Sequence, residues 1–267
     1  RTALAILPGG TGNVLARQLN LPVPGPLHPK AFLDATRAAL AGEVRPVDVG
    51  RVTLQGKLQR HFLSWAGVGF DAMVNRNVNS DPVRKKQFGI AAFIMAAFLT
   101  LRDLAGTSVR LKVDDYRVNR RIVMLVANNI QLYGVFFRMA QDAVIDDGAL
   151  DIYAFQGNGP ARTLLHAARL AVNRHIADPE VDIYRAQRIE ITSAKPLPVH
   201  VDGDYVGETP ATIEAVPRSL RLLVPTTAPA TLFTESLRQQ EPKGTAMAWM
   251  QRMARSAQQA IRPEHSK

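Results

Sequence analysis

Four short segments carry residues whose types and spacing suit chemistry on charged oxygen groups. Pro8-Gly-Gly-Thr-Gly-Asn13 lies between an apolar run, Leu4–Leu7, and a helical pattern at Val14–Leu19. A helix start offers unpaired backbone N–H groups and a partial positive charge, and glycines let an anion approach the backbone. Thr11 and Asn13 are both helix-capping types. The segment lacks the Gly-Lys-Ser/Thr ending of a P-loop and the spacing of a dinucleotide fingerprint. Alone, it reads as a structural turn as readily as a phosphate cradle. Trp65-Ala-Gly-Val-Gly-Phe-Asp-Ala72 sets two glycines in a strand-like run, the mark of a bulge or of close approach by a ligand or backbone. Asp71 in it reads as ligand, cap or solvated side chain. Ile145-Asp-Asp-Gly-Ala-Leu-Asp-Ile152 is a hairpin-turn pattern whose carboxylates suit a hard cation such as Mg²⁺. Val199-His-Val-Asp-Gly-Asp-Tyr205 is an Asp-Gly turn between strand-like runs.

The elements that must position these residues fall into two textures. Strand Leu4–Leu7, the helix near Val14–Leu19 and a helix over Lys30–Ala41 ending at Gly42 form an α/β opening. Between the helices, four prolines in Leu21–Pro29 exclude helix. From Val47 the pattern turns β-rich. Strands are expected at Val47–Leu54, His61–Val68, Val109–Val113, Ile122–Ala127, Leu150–Phe155, Arg188–Thr192, Val199–Val201, Thr212–Ala215 and Leu220–Val224, with turn residues between many of them. Helices are expected at about Arg84–Leu104 and Ala161–His175. A boundary therefore falls near residues 44 to 47. After Pro225 a linker-like stretch leads to Thr245–Ile261, whose apolar stripe and opposing arginines and glutamines predict an amphipathic helix. It would dock on the protein itself or on a membrane or partner.

Composition narrows the function classes. Without cysteine there is no disulfide framework and no thiolate metal site. The longest apolar run, Phe88–Leu101, is shorter than the roughly 20 residues of a membrane span. A net charge of +10 favours anionic partners such as nucleotides or acidic lipid headgroups. Aromatic residues, at 6%, are too few for a single-strand nucleic-acid binder, and no nucleic-acid partner is expected.

Taken in order, these segments make the chain similar to the diacylglycerol kinase catalytic family, and to its bacterial lipid kinases that resemble sphingosine and ceramide kinases. The matching pieces are Pro8-Gly-Gly-Thr-Gly-Asn13 with Ala16-Arg17, Val47-Asp-Val-Gly50, and Gly67-Val-Gly-Phe-Asp-Ala72. Asp146-Asp-Gly-Ala-Leu-Asp151, His200-Val-Asp-Gly-Asp204 and Pro217-Arg-Ser-Leu-Arg-Leu-Leu-Val-Pro225 complete the series, which covers about residues 3 to 225.

The resemblance implies an α+β, two-domain chain: a partial α/β nucleotide-binding domain plus an antiparallel β-sandwich-like domain with helical insertions. Residues 1–46 would be the remnant of the nucleotide domain and 47–215 the lipid or substrate domain. Residues 216–234 would return towards the nucleotide domain, and 235–267 would form the basic tail. It also implies transfer of the ATP γ-phosphate to a lipid hydroxyl with Mg²⁺. Gly9, Gly10, Thr11, Gly12 and Asn13 would line the nucleotide phosphates. Asp204 would be the acidic catalytic base, with Asp202 beside it, and Asp147 with the backbone of Ala149 would match a structural Mg²⁺ site. The implied setting is cytoplasmic, peripheral to an anionic inner membrane face, with the oligomeric state open and a homodimer included. A non-catalytic lipid- or nucleotide-binding relative and an NAD kinase-like enzyme are the competing readings. The sequence reads Asp-Gly-Asp where the family has Asp-Gly-Glu, Gly-Val-Phe-Phe137 at the expected glycine run, and Gln141 at an expected proline. The family's Gly-Gly-Asp-Gly-Thr motif does not occur, and an upstream portion is expected to lie outside this sequence.

Overall fold

A computed structural model describes residues 2–25, 28–79 and 105–235. The expected helix at Arg84–Leu104 and the amphipathic tail helix lie outside the described residues. Two helices open the chain, α1 (Val14–Gln18) and α2 (Ala31–Leu40). Strands β1 (Glu43–Leu54), β2 (Leu58–Phe62) and β3 (Trp65–Gly69) follow, and β3 runs directly into helix α3 (Phe70–Asn79). Then come β4 (Thr107–Val113), β5 (Tyr116–Asn128), the short β6 (Leu132–Tyr133) and β7 (Phe137–Arg138), and β8 (Leu150–Gln156). Helix α4 (Gly159–Ala171) precedes β9 (Val181–Ala186), β10 (Arg188–Ser193), β11 (Pro198–Val201), β12 (Asp204–Glu208) and β13 (Ala211–Val224).

The chain is mostly antiparallel sheet. Eleven strands join in the order β12-β11-β3-β5-β4-β10-β13-β1-β2, with β8 on β5 and β9 on β8. Leu63 and Ser64 alone separate β2 from β3, which stand far apart in that order. The sheet must therefore curl over, and its inward side chains enclose one apolar cluster containing Val52, Phe62, Val68, Leu111, Leu125, Ile152, Ile189 and Ile213. Alternating burial along β1 and β4 is the signature of a sheet with one face in the core.

A second cluster joins the opening segment to this sheet. Ala16 of α1, Leu19 just past its end and Ala35 of α2 pack with Val47, Ile130, Ile145, Leu222 and Leu232. Gln18 Oε1 accepts the Leu132 N–H at 2.9 Å, fixing α1 beside β6. The face that α2 buries consists of Ala31, Ala35 and Ala39, whereas Phe32, Leu33 and Leu40 are exposed. Close packing selects the small residues: a Cβ on Gly42, just past the helix, would stand 2.0 Å from the carbonyl oxygen of Val224.

Several expected elements differ in extent. The run His61–Val68 is broken at Leu63–Ser64, where the chain crosses from β2 at one end of the sheet order to β3, third from the other. Thr212–Ala215 and Leu220–Val224 are one strand, β13, paired along β1. Leu4–Leu7 contributes a single parallel bridge, Leu4 to Leu222. The half-exposed β9 and β12 lack an apolar alternation that would announce them. β1 runs continuously through residues 44 to 47.

Candidate active site

The glycine loop is closed on itself by Asn13. Its side chain accepts the Gly10 N–H at 2.8 Å and donates to the Gly10 carbonyl at 2.6 Å. Asn13 occupies the position before α1 with φ 50° but does not cap the helix, because its amide is spent on Gly10. The N–H groups of Thr11 and Gly12 donate to nothing among the described residues. A Cβ at Gly9 would meet no atom within 4 Å, and Gly9, Gly10 and Thr11 are exposed. A rigid loop with spare donors and open space beside it fits an anionic ligand such as the phosphates of ATP. Beyond α1 lies an open hollow of about 610 Å³ lined by Arg17, Asn20, His28 and the proline-rich turn.

The turn between β11 and β12 is held differently. Asp202 and Gly203 both adopt left-handed backbone, φ 47° and 92°, which an Asp-Gly hairpin turn requires. Asp202 Oδ2 accepts the Leu63 N–H at 2.8 Å, and its Oδ1 accepts those of Ser64 and Trp65 at 2.9 and 3.1 Å. Its carboxylate thus braces the turn to the link between β2 and β3. Asp204, two residues on, is exposed and has no side-chain hydrogen bond or ion pair among the described residues. Of the two, Asp204 is the carboxylate left available.

Behind the turn stands a polar cluster that the sequence did not single out as a unit. His200 is fully buried, and its Nε2 lies 2.6 Å from Asp71 Oδ2. Its Nδ1 accepts the Gly203 N–H at 3.2 Å, so the ring proton sits on Nε2 and is donated to Asp71. Asn75 donates to Asp71 Oδ1 at 3.3 Å. Tyr133 stands near this pair, and burial followed by the Asp71 charge holds its phenol well above the ordinary pKa. Trp65 packs on both Tyr133 and His200, with ring centroids 5.4 and 6.4 Å apart. The two glycines in Gly67-Val-Gly69 had signalled a close approach, and Gly67 supplies it: a Cβ there would stand 2.2 Å from His200 Nε2.

The acidic segment is built around Asp48, which is fully buried in the bulge of β1. Its two oxygens accept the N–H groups of Gly148 at 2.6 Å and Arg218 at 2.7 Å. Asp147 and Ala149 are brought together, the Ala149 N–H donating to Asp147 Oδ1 at 2.9 Å, but Asp147 Oδ2 pairs with Arg185. Among the described residues no three His, Cys, Asp or Glu side chains converge as metal ligands. With the Arg185 guanidinium supplying the countercharge, this donor set does not fit a magnesium ion held by the protein alone.

Asp151 is the most perturbed carboxyl there. Burial pushes it up to about 6, Arg185 opposes, and Asp147 and Asp142 add to the rise. A carboxyl raised in the folded state contributes stability that is complete below its ordinary value of 3.8 and is lost as pH rises through about 6. We expect Asp151→Asn to flatten this decline, so that wild type loses more stability than the variant between pH 4 and 7 in urea denaturation. Parallel pH profiles for the two proteins would count against the raised value.

Comparisons with known proteins agree with this layout. Residues 64–224 match the family model for the YegS C-terminal NAD kinase beta sandwich-like domain, and residues 1–52 match that for the diacylglycerol kinase catalytic domain. The chain is 28% identical over 223 residues to a diacylglycerol kinase of Mycobacterium tuberculosis, covering 83% of this chain and 69% of that protein. It is 24% identical over 225 residues to the diacylglycerol kinase of Bacillus subtilis, covering 84% and 70%. A crystal structure described as a candidate diacylglycerol kinase of Bacillus anthracis str. Sterne superposes with a TM-score of 0.62 at 25% identity, covering 86% of this chain and 70% of that one.

Proposed function

The chain belongs to the family that joins a diacylglycerol kinase catalytic domain to a YegS C-terminal NAD kinase beta sandwich-like domain, and from that premise we propose that it serves a lipid kinase. In this reading the γ-phosphoryl group of MgATP moves to a lipid hydroxyl, diacylglycerol or a related lipid. The observation that carries it is the contrast within one turn: Asp202 is fully engaged by three backbone N–H groups, while Asp204 beside it is exposed and has no side-chain partner among the described residues.

Phosphoryl transfer asks for positioning, charge neutralisation and a base near the attacking hydroxyl. The loop Gly9–Asn13 offers donors for the phosphates. Asp204 takes the proton from the lipid hydroxyl as its oxygen bonds to the γ-phosphorus. The bond from that phosphorus to the β–γ bridging oxygen breaks, ADP departs, and the proton on Asp204 passes to water. Residues 1–46 are read as the nucleotide side, residues 47–215 as the substrate side, and 216–234 as the return between them. The net charge of +10 supports approach to an anionic, cytoplasmic membrane face, and no helix of the described residues is long and apolar enough to cross a membrane.

The test is transfer of radiolabelled phosphate from MgATP by the full protein carrying these residues. Mixed micelles of diacylglycerol, ceramide or sphingosine provide one set of acceptors and NAD the other. Label in a lipid supports the proposal. Label in NAD alone assigns the protein to nicotinamide phosphorylation, and binding to liposomes without transfer to any acceptor assigns it to a non-catalytic role.

A further inference from the structure

We propose that Asp71 and His200, seated against Trp65 and Tyr133, form a positioning relay that fixes the Asp204 turn relative to the glycine loop; this rests on the lipid kinase reading for its effect on turnover. Gly12 lies beside Val135, such that a Cβ on it would stand 3.7 Å from Val135 Cγ2. Two residues earlier, Tyr133 packs on Trp65, which packs in turn on His200, and Val14, just past the glycine loop, joins Trp65 and Tyr133 in one apolar cluster. Asp71 accepts the Nε2 proton of His200, and His200 Nδ1 accepts the N–H of Gly203, the residue immediately before Asp204.

Asp71 can only accept, which keeps the imidazole proton on Nε2 and leaves Nδ1 as an acceptor for Gly203. Were the proton on Nδ1, two donors would face each other across 3.2 Å and the tie between His200 and Gly203 would be lost. His200 is fully buried and does not reach open space, so its role is to hold and not to exchange protons with a substrate. Gly67 makes the arrangement sterically possible, since a Cβ there would also lie 2.4 Å from Asp71 Oδ2. Asp202 thus ties the turn to the β2–β3 link, and Gly203 ties it through His200 to Asp71 of α3.

Three substitutions in the full protein separate holding from simple stability. Asp71→Asn replaces an acceptor by a group that can donate to Nε2. His200→Asn keeps an acceptor near the Nδ1 position, and His200→Gln keeps a donor near Nε2 but loses the acceptor. Nitrogen-detected NMR of the imidazole is expected to show the Nε2–H form in wild type and loss of that single form in Asp71→Asn. Hydrogen exchange of the Gly203 amide should speed up in Asp71→Asn and His200→Gln and stay closer to wild type in His200→Asn. In the lipid transfer assay kcat should fall by about 10- to 100-fold in Asp71→Asn and His200→Gln, with KM for MgATP unchanged and partial recovery in His200→Asn. A wild-type ring protonated on Nδ1, or unchanged Gly203 exchange in Asp71→Asn, overturns the relay whatever the enzyme activity. Unchanged kcat with altered exchange overturns its role in turnover. Absence of transfer in wild type counts against the kinase reading alone, leaving the NMR and exchange arms to decide the relay.

Discussion

Asp204→Asn is expected to lower transfer of phosphate to lipid by about 10²- to 10⁴-fold, the span of a lost general base. The substitution keeps size and shape and removes only the capacity to take a proton. Because Asp204 is exposed at the head of β12 and bonded to no other described side chain, stability should be unaffected, with no shift in the denaturation midpoint. KM for MgATP should also hold, since the glycine loop is a separate element. Asp202→Asn is the informative partner. Its carboxylate serves three backbone N–H groups, so that change should lower stability as well as turnover. Near-normal turnover by Asp204→Asn would remove Asp204 from the base role. Asp204→Glu tests reach: the side chain here is one methylene shorter than the glutamate of the family motif, and misplacement of about 1 Å can cost about 10²-fold.

The parts of this architecture legible in the sequence were those with a local cause. Strands with alternating burial, such as β1 and β4, showed their period, and the Asp-Gly turn showed its left-handed pair. The Asp71–His200 pair was not legible, because 129 residues separate its members and no spacing rule relates them. The one available hint was Gly67, whose missing side chain marks where the imidazole and carboxylate meet. Arg185 was hidden for the same reason. It lies on β9, a strand without a clear apolar pattern, and register across β8 and β9 sets it opposite Asp151. Only that pairing brings a guanidinium to carboxylates that sequence alone assigns to a cation.

Asp48→Ala is expected to destabilise the fold by about 2–3 kcal/mol, chiefly through the buried Gly148 N–H left without a partner. The reason lies in an irregularity of the β1–β13 ladder, where the register slips between Val47 and Val49. Opposite this bulge stands Pro217, which has no N–H to give, followed by Arg218 in left-handed backbone at φ 46°. One Asp48 oxygen captures the Arg218 N–H that the ladder leaves over, and the other captures Gly148 in the acidic turn. Burial raises the Asp48 pKa from 3.8, against the two N–H bonds that lower it. The wild-type advantage over a non-titrating Asp48→Asn variant should therefore be largest in acid and shrink as pH rises through the folded value. Urea midpoints between pH 3.5 and 8 would show this as converging curves. Diverging curves would mean that the two N–H bonds outweigh burial and that Asp48 is held as a stable anion. Because Val47 and Ile145 lie in the same apolar cluster as Ala16 and Leu19, loosening Asp48 should also loosen the seat of the glycine loop. Asp48→Ala should thus weaken nucleotide binding as well as the fold, whereas Asp204→Asn should spare both.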